Sequence, residues 1–256
     1  MAGEDPAFVL LYLNADQNCI HLLGVPGQLA VPFSDGEASL ADCYAAAGPA
    51  RCLQGLGAVV DLPEDAHYLA ATPETLAGLC DAYGSLRVGF SGVLSPEERT
   101  RFDQTGVRDW DGASAHAFLQ ELADSLAPDT AAAARAAVWD AFFRQNLEAL
   151  PAALPDSLRE ASGSLLTDLT AADLLTLEDT LELLANNGAV VESSVLPGRT
   201  DRRSGLYVLG EEAGPAVQAF FNVADSAPAS GTQSASSSAP YPSTSVPGGQ
   251  PAGPSM

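Results

Sequence analysis

Every basic residue in this chain is an arginine. The 256 residues carry 33 acids against 11 cations, none of them lysine, for a net charge of -22. The absence of lysine removes a P-loop lysine, a Schiff-base lysine and a Ser-x-x-Lys nucleophile pair from the available chemistry. A surface this acidic repels phosphate backbones and anionic membranes, so no nucleic-acid partner is expected. Solubility is the plain reading of the charge. His21, His67 and His116 stand apart, with no His-x-x-x-His or His-x-x-Glu-His spacing, and read as structural or surface groups. Gly112-Ala113-Ser114-Ala115-His116 has only a superficial likeness to a nucleophile elbow: its fifth residue is histidine, and no strand is evident before it. Glu97-Glu98 and Glu211-Glu212 read as helix-start acids. Arg99, Arg101 and Arg108 balance neighbouring acids, and Arg199, Arg202 and Arg203 surround a Pro197-Gly198 turn as a solvated loop. Cys19, Cys43, Cys52 and Cys80 show no Cys-x-x-Cys spacing, so neither zinc nor a thioredoxin-like dithiol is expected. Cys43 and Cys52 either pair outside the cytosol or lie buried as free thiols.

These groups must be positioned by a series of interleaved strands and helices. Residues 6–31, PAFVLLYLNADQNCIHLLGVPGQLAV, hold two apolar, partly β-branched runs around a turn-rich Asn14-Ala15-Asp16-Gln17-Asn18, which predicts a hairpin. Residues 32–37 read as a loop, and 38–57 as a helix interrupted at Gly48-Pro49. Short strands are expected at 58–63 and 67–70. Thr72-Pro73-Glu74 supplies an N-cap, a first-position proline and an acid at the positive dipole end, for a helix to Tyr83 that stops at Gly84. Residues 86–90 read as a strand, and Ser95-Pro96-Glu97-Glu98 opens a short helix. Further helices are expected from Asp111 to Leu126, over 129–150 and 157–166, and from a Leu169–Asp173 cap to Asn186. Strands at 189–195 and 205–209 and a helix at 211–223 follow. From Ala224 the composition turns to Ser, Pro, Gly and Ala, which predicts a disordered tail over 224–256. Interleaved strands and helices favour an α/β fold, a sheet covered by helices. No apolar run reaches the ~18 residues of a membrane-spanning helix. The N-terminus lacks the basic region of a signal peptide, which points to a cytosolic protein or to a segment upstream.

The order of segments from Glu4 to Val223 resembles the LytR-CpsA-Psr (LCP) family of cell-envelope proteins. Asp5 sits where the family has the aspartate of a Ser-Asp pair near the metal. Val9 to Asn14 is similar to its strand ending in Asn-Pro, and Ile20 to Pro26 to its strand ending in Ser-Ile-Pro. Leu40-Ala41-Asp42-Cys43-Tyr44-Ala45-Ala46-Ala47-Gly48 resembles its Ile-Asn-x-Ala-Tyr/His-Ala-x-Gly-Gly. LAGLCDAYGSLRV at 76–88, Trp110-Asp111-Gly112 through Phe118-Leu119, and residues 165–208 around Leu196-Pro197-Gly198 resemble later family segments. The resemblance implies an LCP-like three-layer α-β-α arrangement, a central mixed sheet flanked by helices, with an apolar cavity for a polyprenyl chain. Active members are Mg²⁺-dependent phosphotransferases that move a glycopolymer from polyprenyl pyrophosphate to peptidoglycan or a related acceptor. Their arginines clamp the pyrophosphate, as suits bidentate cations facing phosphate oxygens.

The departures fall on those arginines. Gly27 and Gln28 stand where the family has the Arg-Asp that follows proline, and Ala41 stands at an asparagine. Gln120 and Leu122 replace both arginines of Tyr-x-Arg-x-Arg. In the Asp-x-x-Arg-x-x-Arg-Gln motif Asp129 and Arg135 match, while Ala132 and Ala136 replace the first arginine and the glutamine. Four lost hydrogen bonds to charged groups, at about 1.5–3 kcal/mol each, amount to about 6–12 kcal/mol of pyrophosphate stabilisation. The family's membrane helix and its first strand, which ends in Gly-x-Asp, have no counterpart here. By resemblance, Asp129 and Arg135 are the catalytic candidates and Asp5 the metal-side acid, in a domain over residues 1–223 at the extracytoplasmic envelope. Its partner would be a polyprenyl-linked glycopolymer or another apolar lipid, with Mg²⁺ only if active. The expectation is a degenerate LCP-like module that binds lipid or glycopolymer, or regulates wall assembly. A working phosphotransferase that uses Arg87, Arg99 or Arg101 instead, and an unrelated soluble α/β binding protein, are the alternatives.

Overall fold

The structure, a computed structural model, describes residues 6–221 apart from Glu64. Asp5 and the 224–256 segment lie outside the described residues. Strands β1 (Phe8–Asn14) and β2 (Cys19–Val25) form the expected hairpin, paired from Phe8–Val25 to Asn14–Cys19. Asn18 turns the chain in the left-handed region at φ 53°, which asparagine tolerates better than most residues. Residues 32–37 are not a loop. They belong to a second hairpin of β3 (Ala30–Phe33) and β4 (Gly36–Ser39), turned at Ser34 with φ 51°. Pro32 is tolerated there because a two-stranded ribbon leaves an edge without ladder partners.

Helix α1 (Leu40–Gly57) is capped by the Ser39 hydroxyl and broken at Gly48, φ 75°, as the Gly48-Pro49 pair implied. Residues 58–63 form no strand; β5 (Leu69–Ala71) does. Helix α2 (Pro73–Ala82) carries the Thr72 cap, and Gly84 ends it at φ 102°. Strand β6 (Leu86–Val88) leads to α3 (Pro96–Arg101), whose Ser95 and Glu98 form a capping box. Strand β7 (Arg108–Trp110) pairs back with β6. Helices α4 (Gly112–Ser125), α5 (Pro128–Asn146) and α6 (Leu150–Ala161) follow. The expected helix over 157–166 stops early, because β8 (Leu165–Thr167) pairs with β5 instead. Helix α7 (Ala171–Asn186) has a Thr170/Asp173 capping box. The chain ends its described part with β9 (Val190–Val195), the β10 (Gly198–Thr200) and β11 (Tyr207–Leu209) hairpin, and α8 (Ala213–Phe221).

The central sheet is mixed. β2 lies between antiparallel β1 and parallel β9, and all its residues are buried. Its side chains alternate between two cores. Ile20 and Leu22, with Val191, meet Phe118, Leu122, Val138, Phe142 and Leu184 on one face. Leu23 and Val25, with Leu196, meet Leu40, Cys43, Cys52, Leu56, Tyr207 and Val217 on the other. Helices α4, α5 and α7 therefore cover one side and α1 and α8 the other, a three-layer α-β-α fold. Each fully buried aliphatic side chain contributes about 1.5–3 kcal/mol. Helix α5 buries a run of small residues, Ala131, Ala132, Ala134 and Ala136, and so lies close on β2. A Cβ at Gly24 would sit 2.1 Å from the Ala132 carbonyl oxygen, so only glycine fits that crossing.

Candidate functional site

At the C-terminal end of β2 the fold joins residues that are distant in sequence. After Pro26 the chain turns back, with Leu29 N–H donating to the Pro26 carbonyl at 3.0 Å. The first turn of α1 closes over this end: Ala41 N–H donates to the Gly27 carbonyl at 2.9 Å. Ser39 fixes that turn by accepting the Asp42 N–H at 3.0 Å and donating to the Asp42 carboxylate at 2.6 Å. A Cβ on Gly27 would lie 3.7 Å from the Ala41 Cβ and 3.4 Å from the Pro6 carbonyl. The two positions at which the resemblance implies arginine and asparagine are thus neighbours, and both are small here.

The remaining positions lie on α4 and α5. Leu122 has 0% exposure and belongs to the core with Ile20, Leu22 and Phe118. Ala132 is 1% exposed, its carbonyl against Gly24. Gln120 is half-buried. Asp129 opens α5 and accepts the Thr130 N–H at 2.8 Å. Burial, helped by the charge of Asp129, pushes the Tyr207 hydroxyl up to about 12; that hydroxyl donates to the Leu196 carbonyl at 2.8 Å. Arg135 lies about a turn beyond Ala132. Burial alone lowers its guanidinium to about 10, and no carboxylate among the described residues pairs with it. The side chain is half-buried and keeps its charge at neutral pH. Among the described residues no three acids, histidines or cysteines gather to hold a metal. Gln28 stands in place of an acid, and Asp5 lies outside the described residues. The described donors at this end do not by themselves make a Mg²⁺ site.

Arg87 marks a different place. A cleft of about 550 Å³ runs between α5, the end of β6 and the free edge of β9, with Val88, Val93, Val107, Ala137 and Ala141 as apolar wall. Arg87, Asp140, Arg144, Gln145 and Ser193 supply its polar groups. Val190 and Leu196 donate to β2-side carbonyls of Asn18 and Gly24, so the odd residues of β9 turn their backbone groups to this cleft. Arg144 donates to the Val191 carbonyl there and to the Asp140 carboxylate. Gln145 accepts the Arg87 N–H at 2.8 Å and donates to the Arg87 carbonyl at 2.9 Å. Arg87 is exposed, 3.7 Å from Asp109. Arg99 and Arg101 do not line this cleft: Arg99 Nε is buried without a partner, and Arg101 lies 4.9 Å from the Phe102 ring centre. Sequence reading missed Arg144. An i, i+4 Asp140–Arg144 pair is too common on helices to have pointed to a cleft.

The other readings resolve simply. Arg108 pairs with Asp103 at 2.5 Å. Arg199, Arg202 and Arg203 are exposed, although Arg199 lies in β10 rather than in a loop. Contrary to expectation a strand, β7, does precede Gly112-Ala113-Ser114-Ala115-His116, but the segment is a helix start whose Ser114 N–H is capped by Asp111 at 2.6 Å.

No family model and no curated protein sequence matches the chain. Solved structures do match. A structure of TagT bound to LIIa-WTA is 18% identical over 85% of this chain and 84% of that one, with a TM-score of 0.66. B. subtilis TagT is 18% identical over 85% and 84%, with a TM-score of 0.63. A LytR-Csp2A-Psr enzyme from Actinomyces oris is 17% identical over 83% and 84%, with a TM-score of 0.58. The mixed sheet, its two helical layers and this likeness along nearly the whole described chain agree: the chain has the LytR-CpsA-Psr fold.

Proposed function

We propose that this chain is an LCP-like domain of the extracytoplasmic cell envelope that has lost pyrophosphate chemistry. It acts as a lipid- or glycopolymer-binding or regulatory module in wall assembly. One observation carries the reading: two of the four positions of the implied arginines are closed by packing as well as changed in type, since Leu122 fills the core and Ala132 is buried with its carbonyl pressed on Gly24. Arg135 alone remains, and a single guanidinium cannot form the paired clamp that a pyrophosphate needs. TagT carries LIIa-WTA on the same fold, which supports a lipid-linked glycopolymer as the partner class. The apolar wall of the α5 cleft supports contact with an isoprenoid chain.

A second reading, a working Mg²⁺-dependent glycopolymer phosphotransferase, is favoured by Arg87 and Arg144 sharing that cleft. Calorimetric titration with geranylgeraniol and with geranylgeranyl pyrophosphate, each with and without Mg²⁺, separates the two. The binding-module reading expects both ligands to bind alike, within about threefold (under ~1 kcal/mol), with no metal dependence. Pyrophosphate binding more than about tenfold tighter, dependent on Mg²⁺ and abolished by Arg135→Ala or by Arg87→Ala with Arg144→Ala, would establish the transferase instead.

A further inference from the structure

We infer that Cys43 and Cys52 close a buried disulfide within α1 when the chain folds under oxidising conditions. The proposed function enters only through the compartment; the pairing itself rests on geometry. Nine residues apart on a straight helix, the two Cα atoms would be separated by about 13.5 Å, far beyond the roughly 4.4–6.8 Å of a disulfide. The helix is not straight. Gly48 takes φ 75° and ψ -174°, and Pro49 follows, so the second half leaves the axis of the first. The Cys52 thiol thereby comes 3.5 Å from the Leu40 carbonyl in the first turn, on the flank of Cys43. The Cys43 thiol lies near enough to act on the Cys52 thiol electrostatically. Both are buried in one core, at 0% and 6% exposure. All four thiols are free in this structure, and Cys19 on β2 and Cys80 on α2 sit on other elements, away from this pair.

The chemistry is thiol–disulfide exchange. One cysteine thiolate attacks an oxidant disulfide, either glutathione disulfide or that of an extracytoplasmic oxidoreductase. The second thiolate then displaces the mixed disulfide. Two protein thiols and one oxidant disulfide give one protein disulfide and two oxidant thiols. In the folded chain, burial and the neighbouring Cys43 push the Cys52 thiol up to about 12, leaving little thiolate. Closure therefore belongs to folding, before the core seals, and the finished bond is shielded from reductants. It ties the first turn of α1, which holds Ala41 over Gly27, to the half beyond the kink.

The test is to refold the whole chain with reduced and oxidised glutathione, and separately with dithiothreitol, then alkylate in denaturant and map peptides by mass spectrometry. After glutathione refolding, two of the four cysteines should alkylate, Cys19 and Cys80, with Cys43 linked to Cys52. The oxidised form should melt roughly 5–10 °C above the reduced form, from the closure of a short loop. In Cys52→Ala, Cys43 should become alkylatable. Four alkylated cysteines at every glutathione ratio, or a link mapping to any other pair, would overturn the inference. Both arms use purified protein, so neither result depends on lipid binding or on location.

Discussion

Leu122→Arg places a cation where the resemblance implies one, and its effect on stability measures how fully the core has closed there. Leu122 has no solvent exposure and lies among Ile20, Leu22 and Phe118. Removing its side chain forgoes about 2 kcal/mol of burial. An unpaired guanidinium in that place adds about 3–5 kcal/mol, part of which is recovered if the long stem reaches outward. The net loss should be about 5 kcal/mol, or roughly 10–20 °C in melting temperature for a chain of this size. Gly27→Arg is the matched control. Its φ lies outside the left-handed region, and the nearest atoms to a new Cβ are at 3.4 to 3.9 Å, ordinary contacts. It should change stability by less than about 1 kcal/mol, as a half-exposed substitution without a clash does. Urea unfolding followed by Trp110 and Trp139 fluorescence reads both variants. If Leu122→Arg unfolds within about 1 kcal/mol of the parent, a space for the cation exists, and the view that packing has sealed the site fails.

Three other outcomes are expected. Gly24→Ala forces a methyl group onto the Ala132 carbonyl at 2.1 Å; α5 must lift from the sheet, and a loss of about 3 kcal/mol or more is expected in the same unfolding assay. Tyr207→Phe deletes the buried bond to the Leu196 carbonyl and should destabilise by about 1–2 kcal/mol; an unchanged urea midpoint would mean that the carbonyl finds another donor. His21 is buried against Phe220 and Phe221 with Nδ1 unpartnered, and burial lowers its pKa despite the opposing charge of Glu192. A lowered folded pKa means that its contribution is fully present above the unfolded value near 6.5 and is lost as pH falls through the folded value. Stability should therefore decline from pH 6.5 towards 5, by at most about 1.4 kcal/mol per unit, and His21→Phe should flatten that slope.

Much of the local structure was legible because it rests on local chemistry. The Thr72, Ser95, Asp111 and Thr170 caps, the Gly48-Pro49 break and the stop at Gly84 need only neighbours within a few residues. Where the reading failed, a distant partner decided. Residues 165–167 left the helical pattern to pair with β5, and residues 32–33 and 36–37 joined a ribbon because each found a strand opposite. Residues 58–63 had strand composition and found none.

The candidate site divides along the same line. Residue types alone determined what is missing: no lysine, and Gly27, Gln120, Leu122 and Ala132 where the resemblance implies arginine. They also singled out Arg135, because a motif match depends only on spacing along the chain. Only the tertiary structure decided what surrounds those positions. It set Gly27 against Ala41, closed the core over Leu122, and brought Arg87 and Arg144, 57 positions apart in the chain, to one cleft. Spacing along a sequence fixes helical and strand neighbours, whereas burial, charge pairing and the space left for a ligand are set by which faces meet across the sheet.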